Sequence, residues 1–214
     1  MLRGAGWIIG EIKSTRKRNP DGSRPPVYGL MPFGCSTDGD VGYIVAFSDG
    51  FSYYGLKKFL KLLGMIDHPY HDELKKELKQ YNNDLNAAIN YMRQDNGLID
   101  RKIVLESSKG KVSQKFNNLC GCQMLCYTDV LQADDERFQK HIEYCEKYTN
   151  DGFFVGAMDR NIVYIGTAEH NWQNVYLRRG EWKKAYSILQ ANLKYGTTSD
   201  TVLWQERFAK NDPT

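Results

Sequence analysis

The chain has 214 residues, of which 41% are hydrophobic and 26% are charged, with 19 glycines and 6 prolines. These fractions are ordinary for a globular protein and exclude collagen, low-complexity and wholly disordered classes. Lysine and arginine (29) outnumber the acids (26) by only three, which is too small a surplus to argue for nucleic-acid binding.

The N-terminal part of the chain predicts one helix followed by a long loop. The helix starts at Leu2 and ends near Arg18, where a run of basic residues suits the negative end of the helix dipole. Proline and glycine in residues 19–23 end it. Residues 28–41 then form a loop rich in glycine, aromatic and acidic residues. A loop of this length in a compact domain usually has a function.

Two further helices are predicted in the first half of the chain. Apolar residues recur at helical spacing over 51–63, and Gly64 stands where a C-cap glycine belongs. The next helix runs over about 69–94, with one apolar face and one charged, solvated face. Residues 98–117 are polar and irregular, apart from a short strand predicted at 103–105.

The second half of the chain predicts helices separated by loops. These helices cover residues 119–131, 134–147, 167–178, 181–195 and about 201–208. Residues 151–156 form another loop of glycine and aromatic residues. Because β alternation is scarce, the predicted fold class is mainly α. We expect an α/α hairpin array of about eight helices, whose long glycine- and aromatic-rich loops share one face.

The cysteines point to no disulfide framework, because their number is odd. They are Cys35, Cys120, Cys122, Cys126 and Cys145. The spacing of the cysteines is not that of paired CxxC units. We therefore favour buried reduced thiols over a zinc site that also uses His141. We therefore expect no metal and no cofactor.

The location of the protein is left open by the sequence. No apolar run approaches the roughly 18 residues of a membrane span, and we identify no signal peptide at the N-terminus. Reduced thiols weakly favour the cytoplasm. We expect no membrane partner and no nucleic-acid partner.

Several stretches resemble one known family. They are YGLMP at residues 28–32, DGDVGY at 38–43, FSYYGLK at 51–57, EHNWQ at 169–173, YLRRGE at 176–181 and QERF at 205–208. In this order, over nearly the whole chain, they resemble the six-hairpin glycosidase-like family of carbohydrate-active enzymes. The resemblance implies an (α/α)6 toroid.

The chain is shorter than the toroid that this resemblance implies. Family catalytic domains are about twice this length, since six hairpins of about 50 residues exceed the chain. We therefore expect a single α/α-hairpin domain over residues 1–214, as a reduced or open toroid or as a fragment of a larger catalytic domain. Such an arc leaves helix faces uncovered, which predicts self-association into a homo-oligomer.

The resemblance further implies hydrolysis of an oligo- or polysaccharide by two carboxyl groups. One protonates the leaving oxygen, and the other activates water or attacks the anomeric carbon. Asp38 and Asp40 in the first long loop, with Glu169, are the predicted catalytic residues. Glu181 and Glu206 rank lower, because neighbouring arginines would keep them ionised.

Aromatic side chains supply the predicted sugar contacts, since the 13% aromatic content exceeds what a small core needs. The predicted substrate-binding residues are Tyr43, Phe47, Tyr53, His170, Trp172, Gln173, Tyr176 and Trp204. For any one aromatic residue, filling a helix interface is the competing interpretation.

Two other classes of function stay open. A polysaccharide lyase would use a tyrosine or histidine base and an arginine or asparagine to neutralise a uronate. The chain offers Tyr28, Tyr53, His170, Asn171 and Arg178 for these roles. A non-catalytic array could instead bind a glycan or a protein through its loops. Nucleotide-binding, zinc-protease and α/β-hydrolase motifs are absent from the sequence.

Overall fold

The computed structural model describes residues 1–37, 40–103, 121–147, 149–150, 153–154, 156–158, 161–164, 166–195, 197 and 208–209. Helices account for most of these residues, so the mainly α prediction is confirmed. No helix in these ranges is long and apolar enough to cross a membrane.

The chain divides into two compact units. The first combines the described parts of Met1–Arg93, Asp100–Val112 and Thr128–Val130. The second combines those of Gln94–Ile99, Ser113–Tyr127 and Leu131–Thr214.

Among its described residues, the first unit has three α-helices. Helix α1 spans Leu2–Ser14, α2 spans Gly50–Met65 and α3 spans His71–Met92. A π-helical turn, Val45–Asp49, leads directly into α2. Helix α3 turns one apolar face inward, as its periodicity predicts. Its buried residues are Leu74, Leu78, Tyr81, Asp84, Leu85, Ala88, Ile89 and Met92.

The ends of α1 and α2 differ from the predicted ones. Helix α1 stops at Ser14, and the hydroxyl of its C-cap residue Thr15 lies 2.8 Å from the Ile12 carbonyl oxygen and 2.6 Å from that of Leu30. The prediction of Gly64 as a C-cap is wrong, since this glycine lies inside α2. The left-handed residue beyond the helix is Asp67, with φ 48°. Aspartate is among the residues that adopt this conformation most readily after glycine.

The predicted loop over residues 28–41 contains a β-hairpin. Strand β1 spans Gly34–Thr37 and strand β2 spans Asp40–Gly42, and they pair antiparallel with an irregularity between Cys35 and Thr37. Ile103 forms a bridge with Tyr43, at the start of the predicted strand 103–105.

The described part of the second unit contains four helices. They are α4, Gln123–Tyr127; α5, Glu136–Glu146; α6, Gly166–Arg178; and α7, Trp182–Tyr195. Helix α4 is much shorter than the predicted 119–131. Helix α5 starts where predicted to within two residues, because the Asp135 carboxylate caps it by accepting the Arg137 N–H at 2.9 Å.

Short strands replace two of the predicted features of the second unit. Strands β3, Thr149–Asn150, and β4, Phe153–Phe154, form one antiparallel pair. Strands β5, Gly156–Met158, β6, Asn161–Tyr164, and β7, Phe208–Ala209, form a three-stranded sheet in that order. The loop predicted at 151–156 is therefore wrong for Phe153, Phe154 and Gly156. The last predicted helix is wrong at Phe208, and residues 201–207 lie outside the described part.

Candidate functional site

An exposed aromatic pair lies at the base of the β1–β2 hairpin in the first unit. Phe33 precedes β1 and Tyr43 follows β2, and their rings meet edge to face with centroids 5.5 Å apart. Phe33 is 62% exposed, and Tyr43 is half-buried. The hairpin thus presents aromatic surface to solvent, which is the feature that sugar stacking requires.

The predicted acids Asp38 and Asp40 belong to this same hairpin. Asp40 is the first residue of β2, where it pairs with Thr37 across the ladder. Its side chain and the whole of Asp38 lie outside the described part of the chain. Their catalytic role stays a prediction.

A buried carboxyl group anchors the chain that enters the hairpin. Asp49, 1% exposed, accepts the Met31 N–H at 2.8 Å and the Tyr81 hydroxyl at 2.7 Å through one oxygen. Its other oxygen has no hydrogen-bond partner among the described residues. Burial raises the pKa of Asp49 to about 7, although the two hydrogen bonds act to lower it. This pKa would suit a general acid, but the group is enclosed, so its role is to hold the loop.

A second buried carboxyl group lies against the backbone of the same loop. Asp84 accepts a 2.9 Å hydrogen bond from Gln80 and faces Arg16 and Arg24, each at 3.4 Å. Burial raises the pKa of Asp84, although the hydrogen bond and both guanidinium groups act in the other direction. Gly29, with φ +72°, passes so close that a Cβ atom there would lie 2.2 Å from Asp84 Oδ2. Only glycine fits this approach.

The chain that leaves the hairpin is held by backbone hydrogen bonds. The Ile103 N–H donates to the Tyr43 carbonyl oxygen at 3.0 Å, and the Ala46 N–H donates to that of Arg101 at 3.0 Å. The Lys102 ammonium group lies 3.4 Å from the Val41 carbonyl oxygen in β2. Strand β2 and the residues that follow it are therefore tied to residues 101–103 of the first unit.

The other residues predicted for this unit are less accessible. Tyr53 is 8% exposed and packs against Tyr81, with ring centroids 6.1 Å apart. Burial, assisted by Asp129, raises the pKa of Tyr53. Phe47 is half-buried and contacts Phe51 edge to face at 5.1 Å. Tyr53 is thus a core residue in this structure.

Sequence analysis missed Phe33, Asp49 and Asp84 as residues that form or support this site. Asp84 had a readable signal, because it falls on the apolar face of α3, where an unpaired acid would be costly. Phe33 lies inside the loop that the sequence marked as functional. Asp49 has no local signal, since its partners Met31 and Tyr81 are distant in the chain.

The predicted site residues of the second unit lie on or around α6. Glu169 and His170 are in this helix, but their side chains lie outside the described part. Trp172 is fully buried and Tyr176 is 3% exposed, so neither offers a ring face to a sugar here. Gln173 is half-buried beside Leu177 in a groove. Trp204 and Glu206 lie outside the described residues.

Glu181 belongs to an ion network. It lies 2.5 Å from Arg179 and 2.9 Å from Lys184, which also reaches Glu146 at 2.6 Å. Partial burial acts to raise the pKa of Glu181, but both cations outweigh it and lower the pKa below its usual value. A carboxylate held ionised in this way does not serve as a general acid.

The buried His141 of α5 was considered as a zinc ligand. Its ring lies between those of Phe138 and Trp172, at 5.8 and 6.1 Å. Nδ1 accepts the Ile99 N–H at 3.1 Å, so the ring proton is on Nε2, which lies 3.6 Å from Cys145 Sγ. Burial lowers the pKa of His141 to about 3.

This arrangement uses both ring nitrogens of His141 in structural contacts. The lone pair that would accept a thiol proton is occupied by a backbone N–H, so His141 and Cys145 are not an activated nucleophile pair. No group of three or more His, Cys, Asp or Glu side chains in the described ranges could hold a metal ion.

Comparisons with known proteins give no further assignment. No family model matches the chain, and neither a curated protein nor a solved structure matches it.

Proposed function

We propose that this protein binds an oligo- or polysaccharide at the β1–β2 hairpin and acts on it as a glycoside hydrolase. The single observation that supports this most is the exposed Phe33–Tyr43 pair, on the same hairpin as Asp38 and Asp40. The resemblance to six-hairpin glycosidases, which includes residues 38–43 of this hairpin, also supports it. Helices α2 and α3, and likewise α6 and α7, pack as consecutive pairs with short connections, as expected in an α/α toroid.

In the proposed reaction, Phe33 and Tyr43 position the sugar ring and two carboxyl groups divide the chemistry. One protonates the leaving glycosidic oxygen, and the other activates water or attacks the anomeric carbon. We assign one of these roles to Asp38 or Asp40 of the hairpin, and Glu169 stays the sequence-based prediction for the other. The buried Asp49 and Asp84 act as positioning residues, because they hold the segment that leads into β1.

The first experiment is incubation with neutral and acidic polysaccharides, with the products identified by mass spectrometry. Products heavier by one water establish hydrolysis, whereas unsaturated products establish a lyase. Asp40→Asn and Glu169→Gln are expected to abolish turnover. Wild-type turnover in both variants would remove these residues from the mechanism.

Binding is tested separately from turnover. Phe33→Ala and Tyr43→Ala should each weaken glycan binding about fivefold, since stacking on one ring contributes on the order of 1 kcal/mol. Trp7→Ala is the matched control, because Trp7 is 61% exposed and belongs to α1, not to the hairpin. Equal losses in all three variants would contradict the assignment of the site.

Three observations disfavour a lyase. Tyr53 is buried and its pKa is raised, which opposes use as a base. Asn171 is buried. Arg178 donates to the carbonyl oxygens of Cys126 and Tyr127 at 3.0 and 3.4 Å. Binding without products would favour the non-catalytic alternative.

A further inference from the structure

Residues 13–24, at the end of α1 and the start of the loop that follows it, are rich in positive charge. The segment contains one acid, Asp21, and five basic residues that we term the basic cluster. They are Lys13, Arg16, Lys17, Arg18 and Arg24. A basic run of this density is typical of segments that bind polyanions. The cluster belongs to the first unit, as the β1–β2 hairpin does.

Part of this positive charge is neutralised inside the first unit. Glu77 of α3 pairs with Lys13 at 2.8 Å and with Arg16 at 2.9 Å. The buried Asp84 faces Arg16 and Arg24, each at 3.4 Å. With the acid of the segment itself, three carboxyl groups oppose five cations. A surplus of positive charge therefore stays on this surface.

Two cations of the basic cluster are left for an external anion. Lys17 and Arg18 are exposed, and neither forms an ion pair with a carboxylate of the described residues. Arg18 donates through Nη1 to the neutral Gly22 carbonyl oxygen at 2.6 Å. Because a guanidinium group has five N–H donors, this bond leaves the others for a ligand.

The ring of Tyr28 holds two guanidinium groups of the cluster in place. The central carbon atoms of Arg18 and Arg24 lie 5.8 and 4.7 Å from the ring centroid, within the range of cation–π contact. The Arg24 side chain is 47% exposed. A guanidinium group held in this way has already lost part of its conformational freedom, and its fork of N–H donors fits a carboxylate or a similar oxyanion.

Tyr28 also connects the basic cluster to the exposed aromatic pair of the hairpin. Phe33 follows Tyr28 by five residues, so their Cα atoms are at most roughly 18 Å apart. The segment between them is anchored, because the Met31 N–H donates to the Asp49 carboxyl group at 2.8 Å. A short oligosaccharide spans this distance. One glycan can therefore stack on Phe33 and place its charged groups at the cluster.

We propose that the substrate is an acidic glycan, whose carboxylate or sulfate groups bind to the basic cluster while its sugar rings stack on Phe33 and Tyr43. This inference rests on the glycan function proposed above, and it adds the chemical class of the glycan. A nucleic acid is disfavoured, because the positive surplus is local and the whole chain has a net charge of only +3.

Isothermal titration calorimetry with matched probes measures the contribution of the anionic groups. Oligogalacturonate is compared with its methyl ester, and dextran sulfate with dextran of the same length. Each pair shares a backbone, and the two pairs distinguish carboxylate from sulfate. Wild-type protein is expected to bind at least one anionic probe about tenfold more tightly than its neutral counterpart in low salt. This ratio should fall in high salt, because exposed charges are screened.

Variants that remove one charge each test the cluster itself. Lys17→Gln, Arg18→Gln and Arg24→Gln should each weaken binding of the preferred anionic probe about fivefold, as expected for one exposed ion pair, and leave binding of its neutral counterpart unchanged. Lys61→Gln in α2 and Lys75→Gln in α3 are the matched controls, because each removes one exposed lysine of the first unit outside the cluster. Both controls should bind like the wild type.

Circular dichroism checks the folding of the variants. Arg24→Gln also removes a partner of the buried Asp84, so Lys17→Gln and Arg18→Gln decide the result if Arg24→Gln loses helical signal. Neither of these two positions pairs with an acid of the described residues, and both are exposed, so the substitutions should leave the protein folded.

The outcomes separate this inference from the proposed function. Equal affinity for charged and neutral probes, with a loss in Phe33→Ala, would overturn the acidic substrate and leave glycan binding at the hairpin intact. Cluster variants that bind like the two lysine controls would also overturn it. Anionic binding that Phe33→Ala does not weaken would separate the cluster from the hairpin, against the proposal. Tighter binding of single-stranded RNA at equal ionic strength would assign the cluster to nucleic acid, and no binding of any probe would contradict both proposals.

Discussion

The two units of this protein bury opposite kinds of titratable groups. The first unit encloses the carboxyl groups of Asp49 and Asp84 near the segment that leads into the β1–β2 hairpin. The second encloses the imidazole of His141, stacked between Phe138 and Trp172. In each case burial favours the neutral form, but neutrality means a bound proton for Asp49 and a lost proton for His141.

This difference predicts opposite dependence of stability on pH. Between pH 3.8 and 7, folded Asp49 keeps a proton that the unfolded chain releases, so its contribution to stability falls as pH rises. Between pH 3 and 6.5, the unfolded chain binds a proton on His141 that the folded chain excludes, so that contribution rises with pH. The two slopes oppose each other in the overlapping range, at about 1.4 kcal/mol per pH unit each.

The largest expected effect comes from His141→Asn. The Oδ1 atom of Asn takes the position of Nδ1 and can still accept from Ile99, but the side chain does not titrate, so a contribution of about 5 kcal/mol between pH 3 and 6.5 disappears. Hydrogen exchange at amides of the second unit, measured across this range, should lose its rise in protection with pH. An unchanged pH profile would show that His141 is not the group responsible.

Asp49→Asn should change the pH dependence of stability in the opposite direction, and by a somewhat smaller amount. Asn imitates the protonated carboxyl group and still accepts from Met31 and Tyr81. The wild type loses about 4 kcal/mol of its free energy of unfolding through Asp49 between pH 3.8 and 7, and the variant should not show this loss. The free energy of unfolding of the variant, compared with that of the wild type, is therefore expected to be higher at pH 8 than at pH 4. Urea unfolding at both values measures this. Asp49→Ala is the control, because it removes both hydrogen bonds and should destabilise at every pH.

Two glycines with the same backbone angle φ allow the cost of a Gly→Ala substitution to be compared between the units. Gly29 in the first unit and Gly180 in the second both have φ +72°. Gly180→Ala should cost about 1 kcal/mol, from backbone strain alone, since nothing lies within 4 Å of its Cβ position. Gly29→Ala should cost about 3 kcal/mol in urea unfolding, because the methyl group also displaces the buried Asp84. Equal costs would mean that Asp84 moves away freely.

The smallest expected effects come from the ion networks outside the two buried groups. Glu77 pairs with Lys13 at 2.8 Å and with Arg16 at 2.9 Å in the first unit, and Glu181 pairs with Arg179 and Lys184 in the second. Glu77→Gln and Glu181→Gln should each lower the free energy of unfolding by less than about 1 kcal/mol, because solvent screens these pairs. Thermal unfolding in low and high salt measures this. Lost glycan turnover in a stable Glu181→Gln variant would restore Glu181 as a catalytic candidate.

Local sequence pattern was sufficient for the longer helices. The period of α3 identifies its buried face from Leu74 to Met92, and α7 begins one residue after the predicted position. The capping carboxylate of Asp135 likewise marks the start of α5. These features depend on neighbours three or four residues away, which the sequence displays directly.

The pairing of the strands could not be predicted from local sequence pattern in the same way. The strands in the described ranges have two to four residues, too few to show an alternation. Their partners are fixed by hydrogen bonds between separate segments. Both predicted glycine-aromatic loops therefore contained strands. The resemblance to a glycosidase family selected the hairpin with Asp38 and Asp40, but it did not indicate which aromatic rings are exposed.

The sequence by itself determined the mainly α class, the faces of the long helices and the residue types from which a sugar site could be built. Tertiary structure alone decided that Trp172 is enclosed while Trp182, ten residues on, lies open to solvent. It also decided that burial raises the pKa of Asp49 to about 7 and lowers that of His141 to about 3. The physical reason is that helical periodicity is a property of adjacent residues, whereas exposure and pKa depend on desolvation by atoms from distant parts of the chain.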